Sequence, residues 1–347
     1  MSDLSTHRIA AALGLGEGFE PFLRQLDKAG EPAQPLPATA AAEAAELLTR
    51  LGCSDQTVAD TLATWPDPER DPERWWLLER GRRYLNAAVG DIDADGGVWP
   101  QLPEALGLPG SCYYLQLYAV AAPAALAWYR QRGVPDQVSW ATLADVARHE
   151  AIHRRIHGRS GIDAPGWMTL HARAVIYELG RLQFAPMHIG GGVEPASWYG
   201  AEAAAALGDG FRPGDLIFGV HIPAGGSLDP EACEASYQEA GAFVDRFFPA
   251  GAGQARRLAT CSSWLLDDQL AEYLPPESNI VRFQRAFELV PGWQERDDAV
   301  LTFVFRNRGV DPERAEPHTR LERAVLAHLQ AGRHFHWRTG WRDFVPR

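Results

Sequence analysis

Two stretches of the chain carry residue types at spacings that could do chemistry. The first is Leu216–Phe248. A continuous apolar run of strand length, Leu216–Ile222, meets Pro223 and then Ala224–Gly225–Gly226–Ser227. A helix start follows: Asp229 can cap, Pro230 suits the first helical position, and Glu231 favours the positive dipole end. Cys233, Tyr237, Ala240, Val244 and Phe247 then recur at helical spacing. A helix N-terminus presents unpaired amides, and glycines before it let a phosphate reach the backbone. A plain tight turn has the same pattern, and Asp229 and Glu231 compete with an anion for those amides. The second stretch is His149–Glu150–Ala151–Ile152–His153, a literal H-E-x-x-H, with His157 one turn further on. Histidines four apart on a helix can share a zinc ion while the glutamate activates water.

Composition narrows the chemistry. The 347 residues carry 33 basic and 45 acidic side chains, a net charge of −12, which argues against a nucleic-acid partner. Lys28 is the only lysine. A Walker-type phosphate loop and a pyridoxal phosphate Schiff base each need a lysine, so both are excluded unless Lys28 supplies it. Cys53, Cys112, Cys233 and Cys261 are widely spaced, which predicts free thiols in a reducing compartment. No signal-peptide pattern or membrane-length apolar run is present, so the expectation is a soluble cytoplasmic protein with no membrane partner.

The elements that must position these residues fall into two kinds. Thr39–Leu51, Pro72–Val89, Ser111–Arg132 and Trp140–His157 read as helices, several of them ended by glycine. Pro165–Leu179 reads as helical and runs into a short strand, Arg181–Phe184, and Gly190–Pro213 is Gly-rich and irregular. Val281–Leu289 alternates apolar and polar residues and predicts a half-buried strand, with Arg282 and Gln284 on its polar side. Ala299–Phe305 predicts another strand, and Thr319 with Glu322 forms a capping box for a last helix. The fold expected is an all-helical N-terminal part followed by a mixed α/β part.

Four strings, GRLQFAP (Gly180–Pro186), VHIPAGGSLDPEAC (Val220–Cys233), CSSWLLD (Cys261–Asp267) and SNIVRFQ (Ser278–Gln284), stand in this order. Together they resemble an actinobacterial-type group of acyltransferases that joins an all-helical N-acyltransferase N-terminal domain to a GNAT-like C-terminal domain. The resemblance implies domains over 1–134 and 135–347 and a GNAT-like mixed sheet flanked by helices. It implies acyl-CoA as co-substrate, a small-molecule amine as acceptor, and no metal. Leu216–Ile222 would be the central strand and Arg257–Leu266 the next, the two splaying apart around the pantetheine arm. Ala224, Gly225, Gly226 and Ser227 would hold the pyrophosphate. In the GNAT pattern's register, however, His221 replaces the usual Gln or Arg, Ala224 replaces the first glycine, and Pro223 lacks an amide hydrogen.

The implied reaction is direct attack of an amine on the thioester, which needs a base for the amine proton and an acid for the leaving thiolate. His221 suits the base and Tyr273 the acid. Asp267 could orient the acceptor or cap the short helix Asp268–Tyr273. Cys261 could carry the acyl group or be a small core residue, and Arg282 could meet a phosphate or an acceptor carboxylate. Two other classes fit the residues: a non-catalytic binding or scaffold protein that kept the fold, and a zinc hydrolase using His149, Glu150 and His153. Against the hydrolase, Arg148, Arg154, Arg155 and Arg159 crowd the motif with like charge, and only Glu178 is at hand as a third ligand.

Overall fold

A computed structural model describes residues 5–189, 212–248, 255–307 and 309–344. The Gly-rich stretch Gly190–Pro213 lies almost wholly outside the described residues. The chain forms two units, 1–177 and 178–347. The joint expected at 134/135 falls between two helices of the first unit.

The first unit is helical. Its described helices are α1 (Thr6–Leu13), α2 (Glu20–Ala29), α3 (Ala40–Arg50), α4 (Asp55–Ala63), α5 (Pro72–Ala87), α6 (Gly107–Ser111), α7 (Tyr113–Arg132), α8 (Asp136–Leu143), α9 (Asp145–His157) and α10 (Pro165–Ala172). α7 is apolar on nearly every side, which marks a helix surrounded by others. Tyr113 through Ala119 are all buried; α3, α5 and α10 pack on α7, and α2 packs on α5. Trp140–His157, expected as one helix, is divided at Ala144 into α8 and α9. The helix expected over Pro165–Leu179 ends at Ala172, and Ala174 then takes a left-handed φ of 56° that no helix can continue.

Among the described residues the second unit holds a seven-stranded mixed sheet. Its strands are β1 (Tyr177–Leu179), β2 (Leu182–His188), β3 (Leu216–His221), β4 (Ala255–Ser263), β5 (Glu288–Leu289), β6 (Gln294–Glu295) and β7 (His336–Asp343). They lie in the order β1-β2-β3-β4-β7-β5, with β6 also on β7. Only β3 and β4 are paired in parallel among the registers described. Such a pair needs a crossover, which α11 (Pro230–Phe247) provides. Cys233, Tyr237, Ala240, Val244 and Phe247 are all buried, as the helical spacing predicts, and Tyr237 meets Phe184 edge-on. α12 (Asn279–Gln284), α13 (Asp297–Phe305) and α14 (Arg320–Gln330) complete the unit. The Thr319–Glu322 capping box is formed.

Two expected strands are helices. Ser278 caps α12 by accepting from the Val281 amide, so the alternation of Val281 and Phe283 with Arg282 belongs to a short helix whose residues pack on two sides. Arg282 is therefore exposed on a helix rather than on a strand's polar face. In α13 the buried residues Val300, Leu301 and Val304 fall on one helical face while Phe303 is 58% exposed. Asp297 and Asp298 favour the positive end of that helix. An unbroken apolar run does not distinguish a strand from a helix.

Candidate active site

The site is built where β3 and β4 part. Leu216 pairs with Ala255, Phe218 with Ala259 and Gly219 with Thr260, and there the ladder ends. β3 continues through Val220 and His221, β4 through Cys261, Ser262 and Ser263. Their outer edges stay paired: Gln183 opposes His221 on β2, and Gly340, Thr339 and Arg338 oppose Cys261, Ser262 and Ser263 on β7. Beyond Gly219 and Thr260 no register pairs β3 with β4.

His221 is half-buried at the end of β3. Side chains alternate along a strand, so it shares a face with Ile217 and Gly219. A β-carbon on Gly219 would stand 3.2 Å from His221 Nε2 and 3.2 Å from Met187 Sδ, so the imidazole lies back over the bare glycine. Cys261 belongs to the other face. It is 1% exposed beneath α11, beside Tyr237, and burial pushes its thiol up to about 12. Such burial is that of a small core residue, the second of the two readings of Cys261.

Beyond β3 the chain makes an open turn. Ile222 and Leu228 flank it and pack against an apolar cluster that includes Trp264, Leu270 and Val300. Ala224, Gly225, Gly226 and Ser227 between them are exposed, and the two glycines take φ of 87° and 73°. Asp229 accepts from the amides of Glu231 and Ala232 at 3.1 and 2.9 Å, so it satisfies the first turn of α11. Among the described residues, no acceptor meets the amides of Ala224, Gly225, Gly226 or Ser227. The Ser227 hydroxyl accepts from Asn279 Nδ2 of α12, the helix that carries Arg282 one turn later.

Arg181, just before β2, bonds this turn and was not singled out from the sequence. Its guanidinium donates to the carbonyl of Ser227 at 2.9 Å and to those of Pro223 and Gly226 at 3.3 Å each. The string GRLQFAP contains Arg181, but its partners lie more than forty residues away and no local pattern points to them.

Two other expected residues have structural duties. Asp267 is fully buried. It caps the turn that follows by accepting from the Gln269 amide at 3.1 Å, and it accepts from the His336 amide of β7 at 2.7 Å. Its carboxylate fixes the start of β7 and is not presented to an acceptor. Tyr273 has its hydroxyl 2.9 Å from His328 Nδ1 and takes a bond from Arg333 at 3.3 Å. Those contacts tie it to α14 and the segment after it, and none brings it to His221.

In the helical unit the H-E-x-x-H residues diverge. Glu150 is buried, ion-paired with Arg154 and hydrogen-bonded by Thr57. His149 turns to Asp145 at 3.6 Å, and His153 Nδ1 lies 3.0 Å from the Arg159 carbonyl. Burial lowers the pKa of both histidines. Burial opposes ionisation of Asp145, but His171, His149 and Arg148 outweigh it and hold its carboxyl far below the usual range. The zinc hydrolase is thereby set aside: the would-be base is already ion-paired, and the two histidines point to different partners.

A parallel β3–α11–β4 unit whose strands part above an exposed glycine turn defines a GNAT-type acyl-transfer fold. Comparison with known proteins agrees. Residues 42–174 match the N-acyltransferase N-terminal domain and 176–342 the GNAT-like C-terminal domain. The solved structure of an acyltransferase in complex with CoA and 10C-teicoplanin is 35% identical with a TM-score of 0.86, covering 98% of this chain and 100% of that one. A second, an acyltransferase in complex with decanoyl-CoA and teicoplanin, is 36% identical with a TM-score of 0.86 over 98% and 100%. An acyltransferase mutant in complex with octanoyl-CoA is 36% identical with a TM-score of 0.85 over 97% and 99%. No curated protein matches the sequence. The chain belongs to this family of acyltransferases, made of an N-acyltransferase N-terminal domain and a GNAT-like C-terminal domain.

Proposed function

We propose that this protein transfers an acyl group from coenzyme A to an amine. The observation that carries the reading is the end of the β3–β4 ladder at Gly219 and Thr260, directly before an exposed turn with unengaged amides. The pyrophosphate of acyl-CoA lies against the amides of Ala224–Ser227, with Arg282 as a cation nearby. The pantetheine arm lies along Val220–His221 and Cys261–Ser263, beyond the end of the β3–β4 ladder, as an added strand would.

In the reaction the amine nitrogen attacks the thioester carbonyl carbon, forming a C–N bond and a tetrahedral oxyanion. An inner-edge amide stabilises that charge, because a fixed donor is worth more as charge develops. His221 takes the amine proton, the C–S bond breaks, and the leaving thiolate of coenzyme A takes that proton from the His221 imidazolium, which returns to the neutral base. No covalent acyl-enzyme forms, consistent with the burial of Cys261. The acyl-CoA and teicoplanin complexes of the relatives make a medium-chain acyl-CoA and an amino group on a glycopeptide the first substrates to try. An open turn is also what a non-catalytic scaffold would not need to keep.

The test is to incubate the protein with decanoyl-CoA and a set of amines including a deacylated teicoplanin, following free thiol and product mass. Acyl transfer with one thiol released per amide formed supports the reading. Absence of CoA binding at millimolar concentration removes it. Family membership leaves the compartment open; among the described residues no helix is long and apolar enough to cross a membrane.

A further inference from the structure

The turn after β3 departs from the GNAT pattern at the positions that would normally hold its shape, yet among the described residues no acceptor meets the amides of Ala224–Ser227. A turn rich in glycine is expensive to order, because glycine has more backbone freedom to lose than any other residue. Some contact must fix its carbonyls on one side so that its amides stand on the other. Arg181 makes that contact. Nε donates to Ser227 O at 2.9 Å, Nη1 to Pro223 O at 3.3 Å and Nη2 to Gly226 O at 3.3 Å. The planar fork therefore spans the turn from its first residue to its last. The arginine is itself anchored, since its backbone amide donates to Ser236 Oγ of α11 at 2.7 Å. Three of its N–H groups are held by these carbonyls, which sets its positive charge beside the turn.

We propose that Arg181 is the positioning residue of the pyrophosphate turn: by bridging the carbonyls of Pro223, Gly226 and Ser227 it pre-organises the amides of Ala224–Ser227 for the coenzyme A anion. It substitutes for the glycine and cation that the turn lacks at Ala224 and His221. This rests on the acyl-CoA reading above. Lysine cannot replace it, because an ammonium on a flexible stem is a point charge without the fork's geometry.

The test is calorimetric titration of coenzyme A into the wild-type chain, Arg181→Lys and Arg181→Ala. Calorimetry reports stoichiometry apart from affinity, so a misfolded fraction lowers the former and leaves the latter readable. Both variants are expected to bind with a Kd raised about tenfold, the loss of a pre-organised site. If Arg181→Lys binds as the wild type does, charge alone suffices and the bridging role is overturned. An unchanged Kd in Arg181→Ala overturns it as well. If the wild type itself fails to bind coenzyme A, the acyl-CoA reading falls and this assignment falls with it. Wild-type binding with unaffected variants removes only the assignment.

Discussion

The imidazole of His221 occupies space that Gly219, two residues earlier on the same strand face, leaves bare: a β-carbon there would stand 3.2 Å from Nε2. Contact that close must push the ring or the strand. Removing the ring and displacing it should therefore act in the same direction. His221→Ala lowers kcat by about 100-fold or more, the span of a lost general base, while coenzyme A still binds. Gly219→Ala lowers kcat by less. Steady-state kinetics with decanoyl-CoA read both, and a fully active His221→Ala would remove the histidine from the mechanism.

Cys261 gives an opposite expectation. Its thiol is pushed up to about 12 by burial and lies on the α11 side of the sheet. Cys261→Ala should retain acyl transfer, at a stability cost of about 1 kcal/mol, typical of a small core change. Mass spectrometry of the native protein after brief iodoacetamide treatment should show Cys261 unmodified. Trapping an acyl group on Cys261 would instead establish a covalent route.

Glu150 is a structural residue on this account. Its ion pair with Arg154 is buried on the glutamate side and 35% exposed on the arginine side. Removing one member of a buried pair strands the other, so Glu150→Ala should cost about 3 kcal/mol, the lower end for such pairs because Arg154 is partly hydrated. Denaturant unfolding measures this. Acyl transfer in the presence of EDTA should be unaltered, and a loss reversed by zinc would revive the metal reading.

The buried histidines of α9 make the helical unit acid-sensitive. Burial lowers the folded pKa of His149, against the partial opposition of Asp145 and Asp163 and with the help of His171 and Arg148. A histidine with a lowered folded value takes up its proton more readily in the unfolded chain. Its contribution to stability is thus complete above the ordinary value of about 6.5 and is lost as pH falls through the folded value. His153 acts with the same sign. Exposed His334, raised by its bond to Asp297, acts with the opposite sign in the other unit. Melting temperatures across the neutral-to-acid range should fall with pH in the wild type and fall less in His149→Gln. Identical slopes would contradict the assignment.

Local rules carried the sequence a long way where one element holds its own signal. Asp229, Pro230 and the spacing from Cys233 to Phe247 define α11 without any partner, and Thr319 with Glu322 defines the start of α14. They failed where a short helix mimics strand alternation, as at Val281–Phe283, and where an exposed apolar residue, Phe303, fills the gap in a one-sided helical face and leaves an unbroken apolar run. The site divided similarly. The turn at Ala224–Ser227 was visible as a string, whereas the commitment of Asp267 to the His336 amide and of Arg181 to three carbonyls joins distant segments. No spacing rule reaches such contacts.

The parting of β3 from β4 as the seat of acyl-CoA is the central claim, and a crystal structure with a non-transferable decanoyl-CoA analogue tests it most directly. The account predicts pyrophosphate oxygens within hydrogen-bond reach of the Ala224–Ser227 amides, with the pantetheine arm between Val220–His221 and Cys261–Ser263. Density for the analogue on any other surface, with that gap empty, would contradict it.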